Sequence, residues 1–436
     1  ASVTLNNGVF HNTVSASRNP SARFAGRFAL TLNGGDFSRV SDVTGTRGLP
    51  GGSTSSLSAP DALLDRPNSG ELAFANPLLP GADPWVFFHE GFYYATSTGG
   101  SQLSLRKAAN LPDLPNASPR VIYKPAPGHP WSRNLWSPKI YHFSETEVGP
   151  ENAGWWLYLS ANDGSGRPSQ GQRMFALRSL SNSPFGPYGE AAGKRVPHAA
   201  TRVSALKNNG FNDRWCGGPK IIRHAGTLYA VFVSEVGDAS SPRTGDRYQT
   251  INIDRLVNPW TLAGEAVVIN RPTFPWEKHG AGPGKAGMYP EVVEGGVPVP
   301  SPDGSLCLLY AGSGYWTPHY AIGVMRLMDG GDPMNPAHWQ KTARPIFKAS
   351  ADVLGPGNAC CVPSPTGKST WVIYHAYVGK KTRGVPRQLF AEPCVVANGT
   401  VTIGNGHPLP LGTPLKIEIN PLPLRPKISA FSSPAN

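Results

Sequence analysis

Hydrophobic and polar residues alternate along this chain in short runs that turn residues separate. Aromatic and β-branched residues dominate the runs, and 50 Gly and 45 Pro residues punctuate them. This pattern is typical of short β-strands joined by tight turns, and it argues against long helices. The chain is therefore predicted to be all-β.

Hairpin-like units recur at a spacing of roughly fifty to seventy residues. They begin, in chain order, near Asp83, Leu135, Trp215, Tyr289 and Gly355. Each unit would form a small antiparallel sheet that cannot bury both faces alone, and five sheets arranged radially solve that problem. A β-sandwich would show shorter and less similar units. We therefore predict a five-bladed β-propeller with an irregular N-terminal extension.

Composition divides the chain into three predicted parts. Residues 1–75, rich in Gly, Ser, Asn and Thr, form the irregular extension, which packs on the propeller; residues 76–420 form the propeller; residues 421–436 form a C-terminal tail. The chain starts at Ala1 without Met and has no apolar run long enough to cross a bilayer, so we expect a secreted, extracellular protein.

The formal net charge of +12 raises the question of an anionic partner. Lys and Arg are scattered singly, with no basic helix or stacking motif, so neither nucleic acid nor membrane is expected as a partner. We expect a monomer. Five cysteines lack the spacing of a zinc site, and the sequence does not decide whether they form one or two disulfides.

Asp83 is the only carboxylate at the start of the first, otherwise apolar and aromatic, hairpin. An unpaired buried carboxylate costs several kcal/mol, so its presence there needs a reason. The simpler interpretation is an Asp-Pro turn residue, since Pro84 follows. The alternative is a functional carboxylate at the central channel, where the first strands of all blades converge.

Glu294 holds the corresponding position in the fourth unit. It could be a solvated turn residue beside Gly295 and Gly296. Two carboxylates facing each other across a channel are, however, the minimum apparatus for glycoside hydrolysis. Because Asp83 and Glu294 occur at equivalent positions of their blades, the catalytic interpretation is stronger for the pair than for either residue. A binding module would need aromatic platforms but no such pair.

Short motifs in a fixed order resemble glycoside hydrolase family 43 between about Asn76 and Leu415. The segments that carry the resemblance are Ala82–Pro84, Leu135–Pro138, Ser183–Tyr188, Val293–Gly296, Asp332–Lys341, Pro345–Phe347, Gly355–Asn358 and Tyr374–Tyr377. The resemblance implies a five-bladed propeller that acts on arabinose- or xylose-containing plant polysaccharides.

The same resemblance implies an inverting mechanism, with Asp83 as general base and Glu294 as general acid. Their carboxyl groups should then lie roughly 6.5–9.5 Å apart, leaving room for a water molecule. The expected activity is that of an exo-acting α-L-arabinofuranosidase. β-Xylosidase, arabinanase, galactofuranosidase and a catalytically impaired carbohydrate-binding propeller remain as alternatives.

The family's third carboxylate is missing from its place. Aligning Pro219 with Pro84 puts Gly218 where that Asp should stand. Asp213 is the nearest replacement and the predicted third catalytic carboxylate, with Asp163 or Asp238 as loop candidates. Lys139 also stands where the family has a Glu.

No cofactor is expected to be required for the chemistry. A structural Ca²⁺ or halide ion in the central channel would involve Asn358, which stands where many members have a His, and His375. A lone His is more often a hydrogen-bonded core residue, so this alternative stays open.

Sugar platforms and contacts complete the predicted site. Tyr315 and Trp316 lie in a Gly-rich loop after a strand, whereas Trp136 and Trp215 could equally belong to the blade core. The predicted substrate-binding residues are Trp136, Trp215, Tyr315, Trp316, His319 and Arg387.

Overall fold

The structure is a computed structural model that describes residues 2–6, 9–11, 29–32, 70–129, 131–162, 171–189, 201–202, 215–237, 246–284 and 287–420. The chain divides into two compact units, Ala1–Asn68 and Ser69–Asn436. In the first, β1 (Ser2–Asn6) pairs antiparallel with β2 (Val9–His11) and parallel with β3 (Ala29–Leu32). That the extension packs on the propeller stays a prediction, and the predicted tail lies outside the described residues.

The second unit is a five-bladed β-propeller, as predicted. Two strands precede the blades, β4 (Glu71–Phe74) and β5 (Leu79–Pro80). Blade 1 contains β6 (Trp85–His89), β7 (Phe92–Thr96), β8 (Leu103–Ala108) and β9 (Arg120–Tyr123). Blade 2 contains β10 (Arg133–Phe143), β11 (Gly154–Asn162), β12 (Gln172–Arg178) and β13 (Thr201–Arg202).

Blade 3 contains β14 (Cys216–His224), β15 (Thr227–Gly237), β16 (Arg247–Asn258), β17 (Thr261–Leu262) and β18 (Val267–Asn270). A hairpin of β19 (Gly282–Gly284) and β20 (Gly287–Tyr289) follows. Blade 4 contains β21 (Val293–Val299), β22 (Cys307–Gly312), β23 (Ala321–Leu327) and β24 (Trp339–Lys341). Blade 5 contains β25 (Val353–Pro363), β26 (Thr370–Val378), β27 (Gln388–Ala397) and β28 (Thr400–Ile403), and β29 (Leu415–Glu418) ends the described chain's strands.

Helical segments are short within the described ranges. One α-helical turn, α1, spans Glu145–Val148, and 3₁₀ turns span Leu111–Asn116, Pro275–Glu277 and Pro336–His338. No helix in this described part is long and apolar enough to cross a membrane. The helical content therefore agrees with the all-β prediction.

The first hairpin forms as its sequence predicts. Glu90 and Gly91 connect β6 to β7 with φ of +47° and +76°, the backbone of a two-residue hairpin turn with positive φ at both central positions. Trp85, Tyr93 and Tyr94 of the hairpin are buried, and Phe87, Phe88 and Phe92 are half-buried. Together these features place the residue just before β6, Asp83, at the end of the sheet remote from the turn.

Blade 5 is closed by the segment that precedes blade 1. Strand β5 pairs antiparallel with β27, and the Asn76 side chain exchanges two hydrogen bonds of 2.9 Å with the backbone of Ala391. Strands β4 and β29 also pair. Because the start and the end of the propeller are tied to each other, the blades form a closed ring without an open edge between first and last.

All five cysteines, Cys216, Cys307, Cys360, Cys361 and Cys394, lie in described parts of the chain and are free thiols. Four of them are buried in the sheets, where a thiol packs as a small apolar side chain. The one or two disulfides that the sequence left open are therefore not formed.

Candidate active site

The first strands of the five blades surround a common channel. Each of β6, β10, β14, β21 and β25 contacts the next in this order, and β25 contacts β6 again. Bulges interrupt the pairing of β10, β14, β21 and β25 with their neighbours. Such bulges re-aim side chains and often occur beside active sites.

Four blades share one backbone feature at the channel. Asp83, Ser137, Gly218 and Gly355 have φ of +54°, +53°, +61° and +60°, and each precedes a proline. Positive φ is uncommon for non-glycine residues such as Ser137, so its recurrence before proline marks equivalent positions. The backbone thus places Gly218 in blade 3 where Asp83 stands in blade 1.

Asp83 and Glu294 line one cavity of about 190 Å³. Trp136, Trp215, Tyr315, Trp316, Asn358 and Arg387 from the predicted site also line it, together with Gly218. A second cavity, of about 240 Å³ beside Thr96 and Arg106, has no carboxylate in its lining. The chemistry therefore points to the first.

Asp83 is held as a carboxylate by surrounding donors. The Thr98 hydroxyl donates to its Oδ2 at 2.6 Å, the Asn358 amide donates to its Oδ1 at 2.7 Å, and Arg387 Nη1 lies 3.6 Å from Oδ1. Burial opposes its charge, but Arg387, His375 and Thr98 outweigh burial and hold the pKa of Asp83 well below its usual value. The group is therefore ionised near neutral pH and can accept a proton.

Glu294 has the opposite environment. It lies in β21, and the Tyr320 hydroxyl donates a hydrogen bond to its Oε1. Burial raises the pKa of Glu294 and the charge of Asp83 adds to the rise, while Tyr320, Lys220 and Arg387 oppose it. The result is a carboxyl group that retains its proton to higher pH than an ordinary Glu.

Lysines occupy the side of the channel where the third carboxylate was expected. Lys139 and Lys220 are each 1% exposed. Burial lowers the pKa of Lys139 to about 7 and that of Lys220 to about 8. Asp213, the predicted replacement, lies outside the described residues, as do Asp163 and Asp238.

The aromatic residues divide between cavity wall and surroundings. Trp136 and Trp215, for which a core position was an equal alternative, line the cavity beside Tyr315 and Trp316. The Arg387 guanidinium lies over the Tyr315 ring, 4.6 Å from its centroid. His319 is exposed and is not part of the lining; it stacks on His279 with ring centroids 4.1 Å apart.

Several buried polar atoms of the lining have no hydrogen-bond partner among the residues described. They are Gln172 Oε1, Trp215 Nε1, Gln249 Oε1, Trp316 Nε1 and Asn358 Oδ1. Leaving a buried polar atom unpaired costs about 1–3 kcal/mol, so the wall of this cavity concentrates polar groups that are not satisfied by their neighbours.

Gln172 and Gln249 are site residues that sequence reasoning missed, as are Thr98, Ser160 and Lys220. Gln172 begins β12, which is otherwise largely apolar. The signal that singled out Asp83, a polar residue at the start of an apolar strand, was therefore available for Gln172. It carries less weight there because a neutral amide is cheaper to bury than a carboxylate.

The predicted ion residues are engaged with the base. His375 Nδ1 accepts a 3.0 Å hydrogen bond from the Asp83 backbone N–H, and its Nε2 lies 3.4 Å from Arg387 Nη1. Burial, reinforced by Arg387, lowers the pKa of His375 to about 3, so the ring is neutral. A guanidinium so close does not suit a cation, and no group of three or more His, Cys, Asp or Glu in the described ranges could hold a metal. Any central ion stays a prediction.

Comparison with known proteins gives a consistent result. The family model of "Glycosyl hydrolases family 43" matches residues 74–401. An extracellular exo-α-(1→5)-L-arabinofuranosidase of Streptomyces avermitilis is 28% identical over 73% of this chain and 60% of its own length. The enzyme of the same name from Streptomyces chartreusis is 26% identical over 72% of this chain and 85% of its own.

Solved structures share the fold. An α-L-arabinofuranosidase from Lactobacillus brevis has a TM-score of 0.61 at 22% identity, covering 78% of this chain and 98% of its own. A thermostable family-43 glycoside hydrolase has a TM-score of 0.59 at 18% identity, covering 77% and 97%. At these identities the likeness shows the propeller architecture alone.

Proposed function

Because the chain belongs to glycosyl hydrolases family 43, a family of inverting glycosidases, we propose that it is a secreted, exo-acting α-L-arabinofuranosidase with Asp83 as base and Glu294 as acid. One observation carries the proposal. Two carboxyl groups with oppositely shifted pKa values line the same cavity, as acid and base catalysis require. The names of the relatives support the sugar and the extracellular location.

In the proposed mechanism Glu294 donates its proton to the glycosidic oxygen as the bond from that oxygen to the anomeric carbon breaks. Asp83 takes a proton from a water molecule on the other face of the sugar, and the hydroxide oxygen bonds to the anomeric carbon. Asp83 ends protonated and Glu294 ionised. Tyr320 orients Glu294 through its hydrogen bond. The separation of roughly 6.5–9.5 Å between the two carboxyl groups belongs to this proposal.

The size and chemistry of the cavity support exo action. Its 190 Å³ lies below the range of about 300–1,000 Å³ typical of drug-sized ligand sites and suits a single sugar ring. Gln172, Gln249 and Asn358 contribute polar amide side chains to its wall. Trp316 and Tyr315 supply apolar surface for the ring.

A second function is a sugar-binding propeller with little or no turnover. The observation in its favour is Gly218, which leaves Glu294 without the family's third carboxylate while Lys220 lowers its pKa. β-Xylosidase, arabinanase and galactofuranosidase activities are alternatives within the same catalytic proposal. Substrate profiling separates them because the catalytic pair is common to all three.

The test compares wild type with Asp83→Asn and Glu294→Gln on nitrophenyl glycosides and arabinan oligosaccharides. Each variant should lose about 10²–10⁴-fold in kcat/KM on the nitrophenyl arabinofuranoside, the usual contribution of a general acid or base. Asp303→Asn, an exposed carboxylate outside the cavity, is the matched control and should retain wild-type activity. NMR of the first product should show inversion of the anomeric configuration.

Unchanged activity in both Asp83→Asn and Glu294→Gln would contradict the roles of Asp83 as base and Glu294 as acid. Sugar binding without turnover in the wild type would select the binding propeller. Faster hydrolysis of the xyloside than of the arabinofuranoside would replace the proposed substrate while keeping the mechanism.

A further inference from the structure

Two buried lysines on the side of blades 2 and 3, Lys139 and Lys220, have no role in the proposed hydrolysis. Lys220 Nζ donates to the Gly218 carbonyl at 3.1 Å. Lys139 Nζ donates to the Pro138 carbonyl at 3.2 Å and lies 3.4 Å from Ser137 Oγ. All these acceptors are neutral, and in the part of the chain that the structure describes neither ammonium forms an ion pair with a carboxylate. A buried cation with only neutral partners is costly and calls for an anion.

Gly218 leaves the space beside Lys220 without a side chain. A Cβ built on Gly218 would lie 3.6 Å from Lys220 Nζ and 3.7 Å from Ser137 Oγ, both at ordinary contact distance. Gly218 and Lys220 both line the 190 Å³ cavity, so the space is reached from the substrate side. A ligand oxygen beyond that position can approach both the Lys220 ammonium and the Ser137 hydroxyl, which are the donors on this wall.

The balance of charge around the cavity favours one more anion. The charge of Asp83 is matched by Arg387 at 3.6 Å, and Glu294 in the acid role is neutral. Lys220 and Lys139 are then offset mainly by the more distant charge of Asp83, which Arg387 already pairs. A bound carboxylate would neutralise this excess where Gly218 has no side chain of its own.

We propose that Gly218, Ser137 and Lys220 form a carboxylate-binding subsite in the wall of the substrate cavity, with Lys139 as a further positive charge behind it. The carboxylate comes either from a uronic acid unit of the glycan or from a free carboxylate anion. The inference rests on the proposed function in one respect, namely that the cavity binds a glycan. It extends that function to acidic ligands.

The proposal is tested by calorimetric titration, which requires no turnover. Galacturonate, galactose and acetate are titrated separately into wild type in a buffer free of carboxylates. Galacturonate should bind at least 10-fold more tightly than galactose. If acetate binds as well as galacturonate, the subsite takes the free anion; if acetate binds at least 10-fold more weakly, it takes the sugar-borne carboxylate.

Two variants address the subsite by different routes. Lys220→Met removes the donor, and Gly218→Asp fills the space with a carboxylate on a backbone turn that Asp83 already adopts in blade 1. Each should weaken galacturonate binding at least 10-fold. Lys368→Met, which removes an exposed lysine outside the cavity, should leave binding unchanged. Because Gly218→Asp keeps both lysines, it guards against a folding defect of Lys220→Met, and circular dichroism checks both.

Equal binding of galactose and galacturonate overturns the proposal, as does binding that survives both variants. If wild type binds no carboxylate and Asp213→Asn does, the chain supplies its own carboxylate and the proposal is equally overturned. Hydrolysis of the nitrophenyl arabinofuranoside, measured in parallel, reports on the proposed function separately. If galacturonate binding fails, the hydrolysis assay still tests the proposed function, and if hydrolysis fails, the titration still tests the subsite.

Discussion

The two sides of the central channel solve the problem of buried charge differently. On the side of blades 1 and 5, Asp83 is surrounded by Thr98, Asn358 and Arg387, which satisfy its charge. On the side of blades 2 and 3, Lys139 and Lys220 have neutral partners only, among the residues described. A satisfied charge is fixed in one ionisation state, whereas an unsatisfied charge leaves the site open to a ligand or to proton loss.

The same backbone serves both sides. Asp83 and Gly218 adopt one left-handed turn before proline, and they differ by a carboxylate. At Asp83 the neighbouring cation, Arg387, lies 3.6 Å from the carboxylate, whereas at Gly218 the neighbouring Lys220 donates to a backbone carbonyl. The charge pattern of the channel is therefore set by the occupants of equivalent blade positions and not by the fold.

The largest expected effect breaks the satisfied side. Arg387→Met removes the guanidinium that most lowers the pKa of Asp83. Burial is then opposed less strongly, so the pKa of Asp83 rises and the acid limb of the kcat/KM profile moves to higher pH. We expect kcat/KM to fall about 10²–10³-fold at pH 6, since charge and positioning are both lost.

The measurement is a pH–rate profile from pH 3 to 9, with Arg344→Met, an exposed arginine of the described chain, as control. An Arg387→Met profile without an acid limb at higher pH than that of wild type would mean that Arg387 does not set the ionisation of Asp83. A simple rise in KM would then point to a contact with the sugar alone.

Much of this arrangement could be predicted from the sequence, and the reasons are physical. Asp83 and Glu294 stand out because a carboxylate at the start of an apolar strand is costly and therefore informative. Gly218 stands out only through its alignment with Asp83, which the shared positive φ supports. The blades followed from repeated hairpins whose turn chemistry is local, such as Glu90-Gly91.

The partners of these residues could not be predicted in the same way. Gln172 and Gln249 reach the cavity through strand register across a blade, and Thr98 reaches it from the loop after β7. An uncharged polar residue at such a place carries little signal. From the sequence alone, Lys220 would be predicted to be an ordinary surface cation, but it is 1% exposed in the structure. Its burial depends on the bulge between Gly217 and Lys220, a tertiary feature.

An intermediate effect on activity is expected from a change beside Glu294, whose pKa depends on Asp83 and Arg387 on one side of the channel and on Lys220 on the other. Tyr320→Phe removes the hydroxyl that donates to Oε1 and stabilises the ionised form. The pKa of Glu294 should therefore rise, and because the acid must be protonated, the alkaline limb of the profile should move to higher pH. Loss of positioning should lower kcat about 10-fold.

The position of the alkaline limb distinguishes an electrostatic role of Tyr320 from a purely structural one. Tyr158→Phe removes a hydroxyl that donates to the Pro259 carbonyl from a ring buried in blade 2, outside the cavity lining, and serves as the matched control. A fall in kcat with an unmoved alkaline limb in Tyr320→Phe would contradict the electrostatic coupling. A limb shifted to lower pH would reverse its sign.

The smallest effect on activity, with a clear effect on stability, is expected on the unsatisfied side. The pKa of Lys139 is about 7 in the folded protein against 10.5 for an ordinary lysine, with burial as the main cause. The unfolded chain therefore binds more protons between these values, so the free energy of unfolding of wild type rises with pH from about 7 to 10.5. Lys139→Met abolishes this cost, and we expect it to stabilise the protein by about 1–4 kcal/mol at pH 6, with the gain shrinking toward pH 10. Urea unfolding in carboxylate-free buffer measures the stabilisation at pH 6 and its decrease toward pH 10, with Lys368→Met as an exposed control. If Lys139→Met is less stable than wild type at pH 6, Lys139 is paired in the folded protein, and the two sides of the channel do not differ.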